Sequence, residues 1–89
     1  MSVTSDEMLR ALATEVADDL LRTGQRLVTA ESCTGGWIGK ICTDLPGSSR
    51  WFLGGAIVYA NEAKTGLLGV DSALLRRDGA VSEAAVRAM

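Results

Sequence analysis

The chain has 89 residues, room for one small domain and no second, and 47% of them are hydrophobic, so a core can form even though short chains bury a smaller share of their surface. Nine basic against eleven acidic side chains leave a net charge of −2, and no basic run is present that could neutralise several phosphates, which argues against non-specific nucleic-acid binding. No apolar run approaches the ~20 residues that cross a bilayer, and two cysteines behind a charged, leaderless amino-terminus predict a soluble protein in a reducing, cytoplasmic setting.

Thr4-Ser5-Asp6-Glu7 fits a capping box, and Leu9, Leu12, Val16 and Leu20 recur at helical spacing until Arg22-Thr23-Gly24, which predicts a first helix over residues 5–23. Leu27 to Ala30 favours a strand and leads into the polar, glycine-bearing segment Glu31-Ser32-Cys33-Thr34-Gly35-Gly36. Trp37, Ile38 and Ile41 give the next helix an apolar face, and Leu45-Pro46-Gly47-Ser48-Ser49 breaks it. Residues 54–60 form a glycine-led apolar run of strand length, after which Asn61 is placed to cap a helix that Gly69 closes. Ser72 and Ser82 are expected to cap two further short helices, the first of which ends at Asp78-Gly79. The last segment, 82–89, is about two turns, too short to hold without packing, and carries no stop signal.

Helices alternating with strands predict the α/β class, in which ligands collect where loops leave the carboxyl ends of strands. Both polar junctions, after Ala30 and at Tyr59 to Lys64, would lie at such ends. Two strands do not complete a covered sheet, so the reading expects a domain cut partway, with further strands from a longer parent or another copy.

The chain has no histidine, so Ser-His-Asp and Cys-His catalysis cannot be assembled from it, and zinc loses its commonest nitrogen ligand. Cys33 and Cys42 do not sit at a metal-ligand spacing and read as small packing residues. No metal and no cofactor are therefore expected. A nucleophile here would need a carboxylate, tyrosine or lysine as its base, and Ser-Lys pairs are a known class of activated serine. Ser32 precedes an expected helix start whose free N–H groups could hold an oxyanion or a phosphate, and Gly35 and Gly36 would let a ligand approach the backbone. From pattern alone the plainer reading, in which Ser32 or Thr34 is an N-cap and the glycines a tight turn, is favoured. Gly35 to Lys40 only faintly resembles a phosphate loop, because Thr34 and Ile41 stand where glycine and a hydroxyl residue belong, and Lys40 reads as a solvated lysine. Trp37, Trp51 and Phe52 read as core, and Arg76-Arg77-Asp78 as a solvated helix face rather than a phosphate clamp. For Tyr59 two readings stand level: a hydroxyl that orients a substrate, or a buried phenol with a satisfied hydroxyl.

Thr29-Ala30-Glu31-Ser32-Cys33-Thr34-Gly35-Gly36 resembles the signature of the CinA C-terminal domain family, whose members are also described as nicotinamide mononucleotide deamidases. Thr43 to Ser49, Trp51-Phe52, Tyr59, Asn61-Glu62-Ala63-Lys64, Leu68-Gly69-Val70 and Gly79 to Glu83 follow in that family's order, so the resemblance covers nearly all of 8–89. It implies a three-layer α/β/α sandwich around a mixed sheet, with residues 1–89 as the amino-terminal part of the domain. It implies hydrolysis of the carboxamide of nicotinamide mononucleotide to nicotinate mononucleotide and ammonia, with Ser32 as nucleophile, Lys64 as base and Tyr59 as an accessory catalytic residue. Cys33, Thr34, Gly35, Gly36 and Asn61 would then contribute to substrate binding. The expected partners are a small-molecule nucleotide and further copies of the chain, with neither nucleic acid nor membrane. The rival reading is a non-catalytic half-domain that binds a nucleotide or self-associates. Two departures are visible: Ala60 stands where the family more often has serine, and the second half of the family's domain, with its glycine-rich loop, does not follow. The base role requires a neutral amine near pH 7, although an unperturbed lysine titrates at about 10.4, so Lys64 is expected to be buried beside Ser32, with Glu62 pointing away.

Overall fold

The computed structural model describes residues 5–89, and its α/β content follows the order helix, strand, helix, strand and three helices. Helix α1 (Asp6–Thr23) is capped by Ser5, whose Oγ accepts the Met8 N–H at 3.1 Å, and is closed by Gly24 at φ 68°. Thr4, the first residue of the expected capping box, lies outside the described residues, and Ser5 is the cap. Strand β1 (Leu27–Glu31) runs one residue further than predicted, which moves Glu31 from the loop to the strand end. Helix α2 (Trp37–Thr43), a 3-10 turn at Ser48–Arg50 and strand β2 (Phe52–Ile57) follow. Helices α3 (Asn61–Leu68), α4 (Ser72–Asp78) and α5 (Glu83–Ala88) complete the chain.

β1 and β2 pair in parallel: the Leu27 N–H donates to the Trp51 carbonyl at one end, and the Val58 N–H to the Glu31 carbonyl at the other, 2.7 and 2.8 Å. β2 therefore starts as soon as the 3-10 turn releases the chain, two residues before the glycine pair that the sequence reading placed first. Gly54 occupies φ 146°, a backbone region closed to most side chains, and a Cβ on Gly55 would collide with the side chain and carbonyl of Thr29.

The chain forms two compact units. In the first (residues 1–29 and 36–55), α1 packs on α2, and Ala17, Cys42 and Trp51 form a core with Leu20, Leu27, Leu45 and Phe52 around it. Trp51 and Phe52 meet edge to face, with centroids 6.2 Å apart. Trp37 departs from expectation: it is 51% exposed, because α2 turns Cys42 and not its first residue into this core. Cys33 departs likewise and is exposed, whereas Cys42 is the small packing residue expected. In the second unit (residues 30–35 and 56–89), Val70, Leu75 and Ala85 form the core, flanked by Leu68, Leu74 and Met89. Packing against α4 is what stabilises the short helix α5, whose N-cap is Ser82, as predicted. Among the described residues no helix is long and apolar enough to cross a membrane.

Candidate functional site

All the proposed catalytic residues fall in the second unit. β1 ends at Glu31, and β2's last ladder bond joins the Glu31 carbonyl to the Val58 N–H, so Ser32 and Tyr59 are the residues that leave two neighbouring strand ends. Parallel strands put both junctions on the same edge, where α/β folds place their ligands.

Ser32 opens a turn closed by the Gly35 N–H, which donates to the Ser32 carbonyl at 3.0 Å. Gly35 takes φ 66°, a left-handed conformation that glycine adopts without strain. Ser32 is half-buried, and Cys33, Thr34 and Gly35 are exposed. The helix-cap expectation is corrected here: α2 begins only at Trp37, its N-cap is Gly36 at φ 99° with no side-chain bond, and neither Ser32 nor Thr34 caps it. The Thr34 hydroxyl instead donates to Glu31 Oε1 at 2.8 Å. Within the turn the Gly35 N–H is spent on Ser32, and the N–H groups of Cys33 and Thr34 are not used by the turn itself.

Lys64 is 1% exposed, which meets the expected burial, but no hydrogen bond joins it to Ser32. Its Nζ donates to the Tyr59 carbonyl at 2.7 Å, and none of the ion pairs among the described residues includes it. Lysine is rarely buried to this degree without a paired charge, and an ammonium brings three donors to a place where one acceptor meets it. Glu62 is exposed, in keeping with the expectation that it points away. Tyr59 is 73% exposed, which removes the buried-phenol reading and leaves its hydroxyl in the open.

Asn61 is not the cap of α3. Ala60 holds the N-cap position with extended backbone and no side-chain bond, and Asn61 is the first helical residue. Ser72 is displaced in the same way by Asp71, whose side chain accepts the Ala73 N–H at 2.9 Å. Asn61 lines an open groove with Glu62, Thr65 and Gly66 of α3 and Ser72, Leu75 and Arg76 of α4, and Ser32, Tyr59 and Lys64 are not among its walls. Arg77 pairs with Asp78 at 2.9 Å, and that hydrogen bond raises the guanidinium's pKa, which fits a solvated helix face. Lys40 is likewise a surface residue, paired with Asp44 at 2.8 Å. Among the described residues no cluster of three His, Cys, Asp or Glu side chains could hold a metal.

Sequence reasoning missed Glu31. It is 4% exposed and holds the turn on one side and β2 on the other, and the signal available was a carboxylate immediately before the proposed nucleophile and three before a hydroxyl.

Residues 9–89 match the family described as CinA C-terminal domain. The chain is 46% identical over 82 residues to the nicotinamide-nucleotide amidohydrolase PncC of Escherichia coli K12, covering 92% of this chain and 50% of that protein. It is 59% identical over 70 residues to a putative competence-damage inducible protein of Symbiobacterium thermophilum, covering 79% of this chain and 16% of that one. The crystal structure of the competence/damage inducible protein CihA from Agrobacterium tumefaciens superposes with a TM-score of 0.89 at 38% identity, over 100% of this chain and 53% of the other. The chain thus spans half the length of the curated amidohydrolase that it matches.

Proposed function

The chain belongs to the CinA C-terminal domain family, and from that premise we propose that it carries the Ser-Lys half of an amidase site acting on the carboxamide of a nicotinamide nucleotide, nicotinamide mononucleotide in the first instance. The observation that carries the reading is Lys64: a 1% exposed lysine in none of the ion pairs among the described residues, reached from the strand end next to the one that Ser32 leaves. Stability alone does not favour such a residue, and buried, unpaired titratable groups concentrate at functional sites. Its identity with an amidohydrolase supports the same reading.

In this mechanism the Lys64 amine takes the Ser32 hydroxyl proton as Oγ attacks the carboxamide carbon. The carbonyl π electrons move to oxygen, and the N–H groups of Cys33 and Thr34 receive the oxyanion. Collapse breaks the C–N bond, the proton returns from Lys64 to the leaving nitrogen, and ammonia departs from an ester on Ser32. Water, activated by the same amine, then cleaves the ester and releases the nicotinate nucleotide. In this reading the exposed Tyr59 hydroxyl contacts the substrate from the second junction.

Incubation of the purified protein with nicotinamide mononucleotide, followed by mass spectrometry for nicotinate mononucleotide and an ammonia assay, tests the reading directly. Stoichiometric release of both products is expected from a protein that holds this chain with the other half of the site, and absence of product there overturns the reading. The second reading, a nucleotide-binding or self-associating half-domain, is favoured by the exposed apolar side chains Val28 and Leu53 on the first unit, and predicts binding or association without product.

A further inference from the structure

We propose that Glu31 is a positioning residue for Ser32: its carboxylate, acting through the Thr34 hydroxyl, holds the Ser32–Gly35 turn in the conformation that presents the serine. Two hydrogen bonds to Glu31 bracket the turn, which adds one of its own. The Glu31 carbonyl accepts the Val58 N–H at 2.8 Å and so pins the carboxyl end of β1 to β2. Its Oε1 accepts the Thr34 hydroxyl at 2.8 Å, from the far side of the turn. The turn between them closes on its own Gly35-to-Ser32 bond, 3.0 Å. Ser32 is therefore clamped from both sides by groups belonging to, or bonded to, Glu31.

A carboxylate that is 4% exposed is an expensive choice for the last residue of a strand, since an apolar side chain would occupy the position without desolvating a charge. What the carboxylate provides and a leucine does not is a strong, directional acceptor for a hydroxyl three residues ahead. A hydrogen bond of that span fixes the turn between its ends, and nucleophile placement is the quantity to which serine attack is most sensitive. Thr34 is exposed, so burial of its own side chain does not account for the bond.

The kinetic arm of the test rests on the amidase reading; the exchange arm does not. Thr34→Val removes the donor at an exposed position while keeping size and branching, and Thr34→Ser restores the hydroxyl. In the intact protein, Thr34→Val is expected to lower kcat by roughly 10²-fold with KM changed by less than about threefold, and Thr34→Ser is expected to recover most of the loss. Amide hydrogen exchange at Gly35, read by NMR, is expected to accelerate in Thr34→Val and in Glu31→Leu and to return towards the parent rate in Thr34→Ser. Parent-like exchange at Gly35 in Thr34→Val overturns the proposal, as does unchanged kcat in an active protein. If the parent shows no turnover but Gly35 exchange follows this pattern, the amidase reading falls and the clamp stands. If the kinetics fall in Thr34→Val and are not recovered by Thr34→Ser, the hydroxyl is not the agent and the clamp falls.

Discussion

Lys64 Nζ lies 2.7 Å from the carbonyl oxygen of Tyr59, five residues back, so the side chain folds over the start of its own helix and spends its hydrogen bond on the loop that leaves β2. That geometry separates what Lys64 does for stability from what it does for chemistry. Lys64→Met keeps the length and replaces a buried amine with an apolar group, at the loss of one hydrogen bond worth about 1 kcal/mol. Its unfolding midpoint is expected to stay within a few degrees of the parent while turnover disappears. Lys64→Arg keeps a long basic side chain yet is also expected to be inactive, because a guanidinium does not serve as a base. Circular-dichroism melts alongside product assays check both, and an active Lys64→Arg would remove the lysine from the mechanism.

Ser32→Ala is expected to lower turnover by roughly 10⁴-fold or more with the melting midpoint unchanged, since Ser32 is half-buried and its structural bond is made by its carbonyl and not its hydroxyl. Cys33→Ala, at an exposed side chain, is expected to cost less than about tenfold. The reverse pattern in a steady-state assay assigns the nucleophile to Cys33.

Ala60 occupies the N-cap of α3 with φ −75° and ψ 151°, the backbone a capping side chain requires, and has no side chain to use it. Ala60→Ser is expected to stabilise the protein by about 1 kcal/mol, seen as a rise of roughly 4–8 °C in melting midpoint for a domain of this size. A lowered midpoint would mean that serine Oγ finds a different partner there.

Gly55 faces Thr29 so closely that any Cβ meets both its hydroxyl and its carbonyl, and a backbone oxygen cannot swing aside. Gly55→Ala is expected to destabilise by about 1–3 kcal/mol, measured as a lowered urea midpoint at constant m-value. Gly66→Ala, where a Cβ meets open space on a helix, is the control and is expected to stabilise by roughly 0.5–1 kcal/mol.

In the first unit, strand residues Val28 and Leu53 are 63% and 62% exposed, and Met8, Leu12 and Val16 form an exposed apolar stripe along α1. The 89-residue polypeptide is expected to self-associate at micromolar concentration, and Leu53→Lys to shift the distribution towards monomer. Sedimentation velocity over a dilution series reads this out, and a monomer at every concentration would count against an association surface here.

The order of elements was legible in the sequence because it rests on local physics: periodicity for α1, glycines free to take positive φ at Gly24 and Gly69, and a serine oxygen within reach of the Ala85 N–H at the start of α5. The motif residues Ser32 and Lys64, and the family, were legible for the same reason, as runs of adjacent letters. What the sequence did not carry were the partners. Which residue caps a helix depends on where the chain exits the preceding strand, so Ala60, Gly36 and Asp71 took the positions assigned to Asn61, to Ser32 or Thr34, and to Ser72. That Trp37 is half exposed and Cys42 buried follows from the direction in which α2 rolls against α1, a tertiary choice made among apolar residues on more than one face. Glu31 shows the difference most directly. As a letter it is a polar residue beginning a loop; pairing with β2 makes it the last residue of a strand, and that pairing decides that its carboxylate is buried and turned to Thr34 instead of to water.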